Sequence, residues 1–174
     1  MNQKGFINII LVVIVVALAG VVAYFLFVQK TPGTALLLPS TMSLQNLLAA
    51  PEKIVINGSE YVLETNLWRD FMPSSPPDGK PLIALIKVKT PETSTISPEI
   101  NATRLWIVNN KEIWETEFSD EERPVAKDIL EKVARNGPKW SPGITVDVVV
   151  RVIDSRSGGE YLLRASDQNI YRTD

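Results

Sequence analysis

Acidic side chains are the main candidates for chemistry in this sequence, because the chain contains neither histidine nor cysteine. These absences exclude a Ser-His-Asp triad, a thiol nucleophile, a thiolate metal site and a disulfide framework. Glu115 and Glu117 are two residues apart in a segment of strand character, so they share one face. A carboxylate pair can hydrolyse glycosides when the two groups lie about 5–9.5 Å apart. We interpret this pair as a solvated outer face, with a carboxylate-dependent enzyme such as a glycosidase as the less favoured alternative.

A second acidic cluster, Asp120, Glu121 and Glu122, follows directly after Ser119. Calcium takes about six to eight oxygen ligands on a flexible loop. The spacing does not match the D-x-[DN]-x-[DN]-G pattern of an EF-hand loop. We therefore expect an exposed loop or a helix start, with calcium binding as a weak alternative. The sequence predicts no catalytic residue, no cofactor and no metal site.

A candidate recognition site is formed by Trp68, Arg69 and Phe71, where a predicted strand ends and a proline-rich loop begins. Exposed tryptophan, arginine and aromatic side chains together are typical of a protein-binding hot spot. If the segment is buried, Arg69 and Asp70 would instead form a structural ion pair at the end of the fold. The sequence leaves both interpretations open.

A series of short predicted strands after residue 51 positions these candidate residues. Asn57-Gly58 between two apolar runs predicts a tight hairpin. Residues 125–135 have apolar residues at helical spacing, but residues 130–134 fit a short edge strand equally well. We slightly favour a short helix or turn before that stretch. The predicted strands are 54–56, 61–68, 82–89, 104–108, 111–118, 144–153, 160–165 and 169–172.

This pattern of strands predicts a mainly β domain over residues 52–174, built as an antiparallel β-sandwich. Its size and strand rhythm resemble an immunoglobulin-like domain, without the cysteine pair of antibody domains. The resemblance implies two packed sheets. The four tryptophans of the chain are expected to supply much of the core, and they are Trp68, Trp106, Trp114 and Trp140.

The N-terminal region, residues 1–30, has the composition of a membrane anchor. Phe6 to Val28 is 23 residues without a charge. At about 1.5 Å per residue such a helix spans roughly 34 Å, enough for the hydrocarbon core of a bilayer. The run is longer than the apolar part of a cleaved signal peptide, so we predict an uncleaved anchor. Lys4 and the α-amine outweigh Lys30, which favours a cytoplasmic N-terminus and an extracytoplasmic domain.

The leader sequence Gln3-Lys4-Gly5-Phe6 resembles that of type IV prepilins. In that family a short basic leader ends in glycine, cleavage precedes phenylalanine, and an apolar assembly helix follows. Ile10 stands here where the family usually carries glutamate, and Pro32-Gly33 interrupts the helix soon after the span. The resemblance implies, as an alternative, a pilin-like subunit that is processed before Phe6.

Residues 31–51 form a proline-broken linker with a short helix expected at Ser43–Ala50. Ser43 is the predicted N-cap, and Leu44, Leu47 and Leu48 would share the face that packs on the domain. After Ala50 the chain carries 16 basic and 20 acidic residues, a net charge of −4 without a basic run. Nucleic acid is therefore not an expected partner. We predict a membrane-anchored, non-enzymatic protein that binds a partner or assembles at the cell surface.

Overall fold

Short alternating strands produce a mainly β fold in the computed structural model, which describes residues 42–90, 95–118 and 128–174. All of these residues lie within one compact unit, Ala35–Asp174. The elements in chain order are α1 (Leu44–Leu48), β1 (Lys53–Ile56), β2 (Ser59–Asp70), β3 (Leu82–Lys89), β4 (Ile100–Asn109), β5 (Glu112–Glu117), β6 (Ile129–Gly137), β7 (Thr145–Asp154) and β8 (Gly159–Thr173).

The predicted anchor, Phe6 to Val28, lies outside the described residues, as do residues 31–41 of the linker and the acidic cluster at Asp120, Glu121 and Glu122. In the part of the chain that is described, no helix is long and apolar enough to cross a membrane.

The strands form one curled sheet in the order β5-β4-β7-β8-β2-β3-β6, with β1 paired to β2. Every pairing is antiparallel except that of β2 with β8, which is parallel. The prediction of a wholly antiparallel arrangement is therefore wrong at this pair. The parallel pair connects the β7 side of the sheet to the β3 side.

Strand β8 makes this connection because it changes partner along its length. Residues 159–169 pair with β7, and residues 170–173 pair with β2. The register shifts between Val146 and Val148 of β7, opposite Asp167, whose φ is +53°. A bulge of this kind bends a strand locally. The sequence predicted two separate strands here, and the structure joins them into one.

The main core lies inside the curl and is supplied by alternate residues of the strands. In β7, Val146, Val148, Val150 and Val152 are buried, as the period of two predicted. Fully burying such a side chain contributes about 1.5–3 kcal/mol relative to leaving it exposed. The inner face of β2 contributes Tyr61 and Leu67 in the same way.

The predicted β1–β2 hairpin is confirmed, and its turn is tied to the β7–β8 hairpin. Asn57 and Gly58 have φ values of +52° and +83°, as a primed two-residue turn requires. Asn57 Nδ2 donates to Asp154 at 3.1 Å, and Ser157 Oγ donates to the same buried carboxylate at 2.7 Å. The hydrogen bond from Ser157 is the main cause that lowers the pKa of Asp154.

The edge-strand alternative for residues 130–134 is confirmed, because the chain forms β6 from Ile129 onward. The short helix or turn expected before this strand lies mostly outside the described residues. β6 pairs antiparallel with β3 along Leu130 to Ala134. The spacing of the apolar residues fitted a helix, but an open strand edge on β3 offers backbone hydrogen bonds and a core face. Tertiary pairing of this kind overrides a weak local preference.

Helix α1 forms as the leucine spacing predicted, and Ser43 accepts a hydrogen bond from the Asn46 amide at 3.2 Å. It packs on the outer face of β4, β7 and β8, where Leu47 is fully buried. A second, smaller core results. Its sheet residues are Trp106, Val108, Val149 and Leu162.

The two edge strands, β5 and β6, are not paired with each other in the sheet order, and tryptophan side chains lie at this seam. The Trp114 ring packs so closely on Gly137 that a Cβ there would lie 2.7 Å from it. Trp140 Nε1 donates to Glu112 at 2.6 Å. Both tryptophans are half-buried against the main core, as expected for core residues.

Candidate functional site

The predicted recognition residues Trp68, Arg69 and Phe71 do not form one surface patch. Successive side chains of a strand point to opposite faces. Trp68 is half-buried on the outer face of β2, whereas Arg69 is only 3% exposed on the inner side. Only Trp68 of the three therefore remains available on a sheet face.

Arg69 closes one end of the curled sheet through hydrogen bonds to backbone carbonyls. Its Nε donates to the carbonyl of Lys80 at 2.9 Å, and NH1 donates to those of Lys139 and Trp140 at 3.1 and 3.0 Å. NH2 donates to the carbonyl of Asp78. The guanidinium thus joins the β2–β3 loop to the segment after β6, which is a structural role.

The alternative prediction, an ion pair between Arg69 and Asp70, is also wrong. Asp70 accepts a hydrogen bond from Lys80 Nζ at 2.7 Å and another from the Met72 amide at 2.8 Å. The hydrogen bond from Lys80 is the first cause of the lowered pKa of Asp70. The pleat separates the two neighbours, because Asp70 lies on the face opposite to Arg69.

Phe71 is held at the same end between two guanidinium groups. Its ring centroid lies 5.0 Å from Arg69 Cζ and 4.1 Å from Arg172 Cζ. A Cβ on Gly79, whose φ is +74°, would lie 2.6 Å from the ring. The ring is therefore engaged within the fold, and Phe71 is half-buried.

The strand register places other apolar residues beside Trp68 instead. Trp68 pairs with Tyr171 of β8 on one side and with Ile83 of β3 on the other. Two residues further along β3, Leu85 pairs with Val133 of β6. We name these five residues, Trp68, Ile83, Leu85, Val133 and Tyr171, the apolar patch.

The apolar patch is buried at one end and exposed at the other. Val133 is 3% exposed and belongs to neither of the two buried cores, while Tyr171 is 56% exposed. Trp68, Ile83 and Leu85 are half-buried. Trp68 likewise lies outside both cores, so the expectation that it is a core residue is wrong.

A band of charged residues lies next to the apolar patch on the same sheet face. Glu64 of β2 pairs in register with Lys87 of β3, which pairs with Glu131 of β6. Glu64 forms ion pairs with Lys89 and, at 3.8 Å, with Lys87. The hydrogen bond from Lys89 is the main cause that lowers the pKa of Glu64.

The other end of the patch has a further ion pair, Asp70 with Lys80 at 2.7 Å. On β6, the exposed Arg135 lies two residues beyond Val133 along the strand. The rim of the patch therefore contains charged side chains of both signs. The acids are Glu64, Asp70 and Glu131, and the bases are Lys80, Lys87, Lys89 and Arg135.

Comparison with known protein families, curated proteins and solved structures gives no match for this chain. The geometry of the described residues is therefore the basis for proposing a function.

Glu115 and Glu117, the carboxylate pair considered for glycoside hydrolysis, both form ion pairs with Arg104. Arg104 NH1 lies 3.0 Å from Glu115, and its NH2 lies 2.6 Å from Glu117. The two glutamate side chains are 50% and 71% exposed, so they lie on a solvated outer face as predicted. The hydrogen bond from Arg104 to Glu117 is the main cause that raises the pKa of Arg104.

A cleft of about 770 Å³ lies elsewhere, at the end of the sheet where β4 and β6 begin. Its apolar walls include Ile100 and Leu130, and Glu99 and Ser155 are among its polar residues. Glu115 and Glu117 do not line it. Within the described ranges, no group of three acidic side chains is arranged to hold a metal ion.

Proposed function

We propose that this protein is a membrane-anchored, extracytoplasmic binding protein without a catalytic role, and that it docks a protein partner through the apolar patch. The observation that carries the proposal is the register of Tyr171, Trp68 and Ile83, which places three large apolar side chains side by side across three strands. Aromatic residues beside closely packed apolar side chains are typical of binding hot spots.

We further propose that the domain is an immunoglobulin-like β-sandwich. If β2, β3, β4, β5, β6, β7 and β8 are lettered A, B, C, C′, E, F and G, the observed order is C′-C-F-G followed by A-B-E. A sheet containing C, F and G opposite a sheet containing A, B and E is the arrangement of immunoglobulin-like domains. Such domains serve many functions, so the fold is compatible with binding without specifying the partner.

The free energy available from burying the exposed apolar side chains supports a docking role for the patch. Burying a large apolar side chain completely contributes about 1.5–3 kcal/mol, and aromatic pairs add about 0.5–1.5 kcal/mol. Tyr171 and the half-buried Trp68, Ile83 and Leu85 still have area to lose to a partner. In contrast, Glu115 and Glu117 are both paired with Arg104, which favours binding over carboxylate catalysis.

Site-specific photo-crosslinking in membranes that carry the full chain tests the docking surface. A photoreactive residue replaces Tyr171, and a matched control replaces Val55, because the two side chains are 56% and 55% exposed. Val55 lies on β1, outside the patch. We expect a discrete crosslinked protein from position 171 and none from position 55. Equal labelling from both positions, or none from 171, would refute the proposed surface.

Intact-mass measurement of the membrane-extracted chain tests the anchor and the pilin-like alternative together. A full-length species that resists alkaline extraction, and a soluble chain after removal of residues 1–30, are expected for a permanent anchor. A species that begins at Phe6 would favour the prepilin-like alternative instead. A full-length chain that is released by alkali would contradict both.

A further inference from the structure

We infer that the partner of the apolar patch is a second copy of this chain, which docks face to face around a two-fold axis. This inference rests on the proposed docking function and names its partner. A two-fold contact uses the same surface on both copies, so the surface must be compatible with itself in shape, polarity and charge.

The charge of the rim is the first reason to favour a second copy. The rim contains charged side chains of both signs, and ion pairs within the chain already join Glu64 to Lys89 and Asp70 to Lys80. A face of mixed sign does not select a strongly basic or acidic partner by long-range attraction. It also does not repel an identical face, as a face of one sign would.

The location of the patch is the second reason. It lies on the face of the β8-β2-β3-β6 side of the sheet, and its members stand in register on neighbouring strands. Sheet faces pack against each other about 10 Å apart, with side chains from the two faces interdigitating. Tyr171 stands out from this face, and in a two-fold pair it would lie near the axis, beside Tyr171 and Trp68 of the partner copy.

The size of the face sets the expected strength of the dimer. Strands β2, β3 and β6 form a face about 30 Å long and roughly 14 Å wide, and β8 adds only residues 170–173, which gives on the order of 500 Å² per copy. Two such faces total roughly 1,000 Å², the area expected of a weak specific interface. We therefore expect a dimer that dissociates on dilution, and one that a shared membrane would strengthen by raising the effective concentration.

Sedimentation velocity of the full chain in detergent, over a range of concentrations, measures this self-association. The expected result is a reversible shift from the 19.3 kDa chain towards twice that mass, after correction for detergent. Tyr171→Glu should weaken the association at least about tenfold, because it places an unpaired charge in the apolar patch. Val55→Glu is the matched control and should associate like the wild type, since Val55 is equally exposed but lies outside the patch.

Disulfide trapping gives a second, independent measurement, because the chain has no cysteine of its own. Tyr171→Cys should form a crosslinked dimer on mild oxidation, and Val55→Cys should not. Two copies with tags of different mass, mixed before oxidation, should give the hybrid species as well as both parent dimers. This result does not depend on the stability of the Tyr171→Glu variant.

These experiments can reject a second copy as the partner without rejecting the docking surface. A monomer at all concentrations, together with a photo-crosslink from position 171 to a protein of another mass, would overturn the second copy and keep the docking surface. A monomer without any crosslink from position 171 would overturn both. A dimer that Tyr171→Glu and Val55→Glu weaken equally would show that the copies meet elsewhere and would also overturn the inference.

Discussion

Replacement of Arg69 by methionine is expected to destabilise the fold, although the sequence suggested a surface-binding role for this residue. Arg69 is only 3% exposed as a residue, and its guanidinium donates to four backbone carbonyls. Hydrogen bonds to charged groups contribute about 1.5–3 kcal/mol each, so four would reach roughly 6–12 kcal/mol if they were additive. Desolvation of the guanidinium offsets part of this sum, and water can reach some of the freed carbonyls at the end of the sheet. We therefore expect the free energy of unfolding to fall by about 3–5 kcal/mol.

Urea unfolding followed by tryptophan fluorescence measures this change, with Arg172→Met as the matched control. Arg172 stacks on the same Phe71 ring, but its side chain is 52% exposed and bonds to Asp174. Its loss should cost no more than about 1 kcal/mol, as for other exposed pairs. Arg69→Lys keeps the charge but loses the planar fork, and it should recover less than half of the lost stability. A loss below about 1 kcal/mol for Arg69→Met would refute the structural role.

Three further predictions concern other parts of the fold. Leu47→Ala should lower the free energy of unfolding, measured in urea, by about 2–4 kcal/mol, because it leaves a cavity in the second core. The control Gln45→Ala, on the exposed side of α1, should change the free energy of unfolding by less than about 0.5 kcal/mol. Because folding lowers the pKa of Asp154, the ionised carboxylate stabilises the folded state. This stabilisation is fully present above the unfolded-state pKa of about 3.9 and is lost as the pH falls through the lower pKa of the native state. The urea midpoint should therefore decline more steeply below about pH 4 in the wild type than in Asp154→Asn, and parallel declines would contradict this assignment. Gly79→Ala should destabilise by about 1–3 kcal/mol more than Gly143→Ala in thermal unfolding, because both have positive φ but only Gly79 lies against an aromatic ring; equal losses would show that the ring moves aside.

Most strands were predictable because their alternation and turn residues are local properties. The Asn57-Gly58 turn, the inward valines of β7 and the Ser43 cap all follow from residues that are close in sequence. β6 was not predictable in this way. Its residues accept a helical spacing equally well, and the free edge of β3 decides between the two structures.

The candidate site was only partly predictable. Trp68 could be found from its position at the end of a strand, but Arg69 and Phe71 could not share its face. The pleat already excludes Arg69 from the face of Trp68, and this signal was available in the sequence. Tyr171 is 103 residues away from Trp68 and reaches it through a parallel pairing that no local pattern indicates.

The sequence by itself determined the strand character of the domain, its tight turns, the capped leucine helix and the absence of histidine and cysteine chemistry, because each depends on residue type and near neighbours. It also predicted the N-terminal anchor, which stays a prediction. Only the tertiary structure decided that Arg69 closes one end of the sheet, that Trp106 is covered by α1, and that Trp68 stands beside Tyr171 and Ile83. These arrangements depend on which distant strands pair and in which register, and a shift of one residue would turn every side chain to the other face.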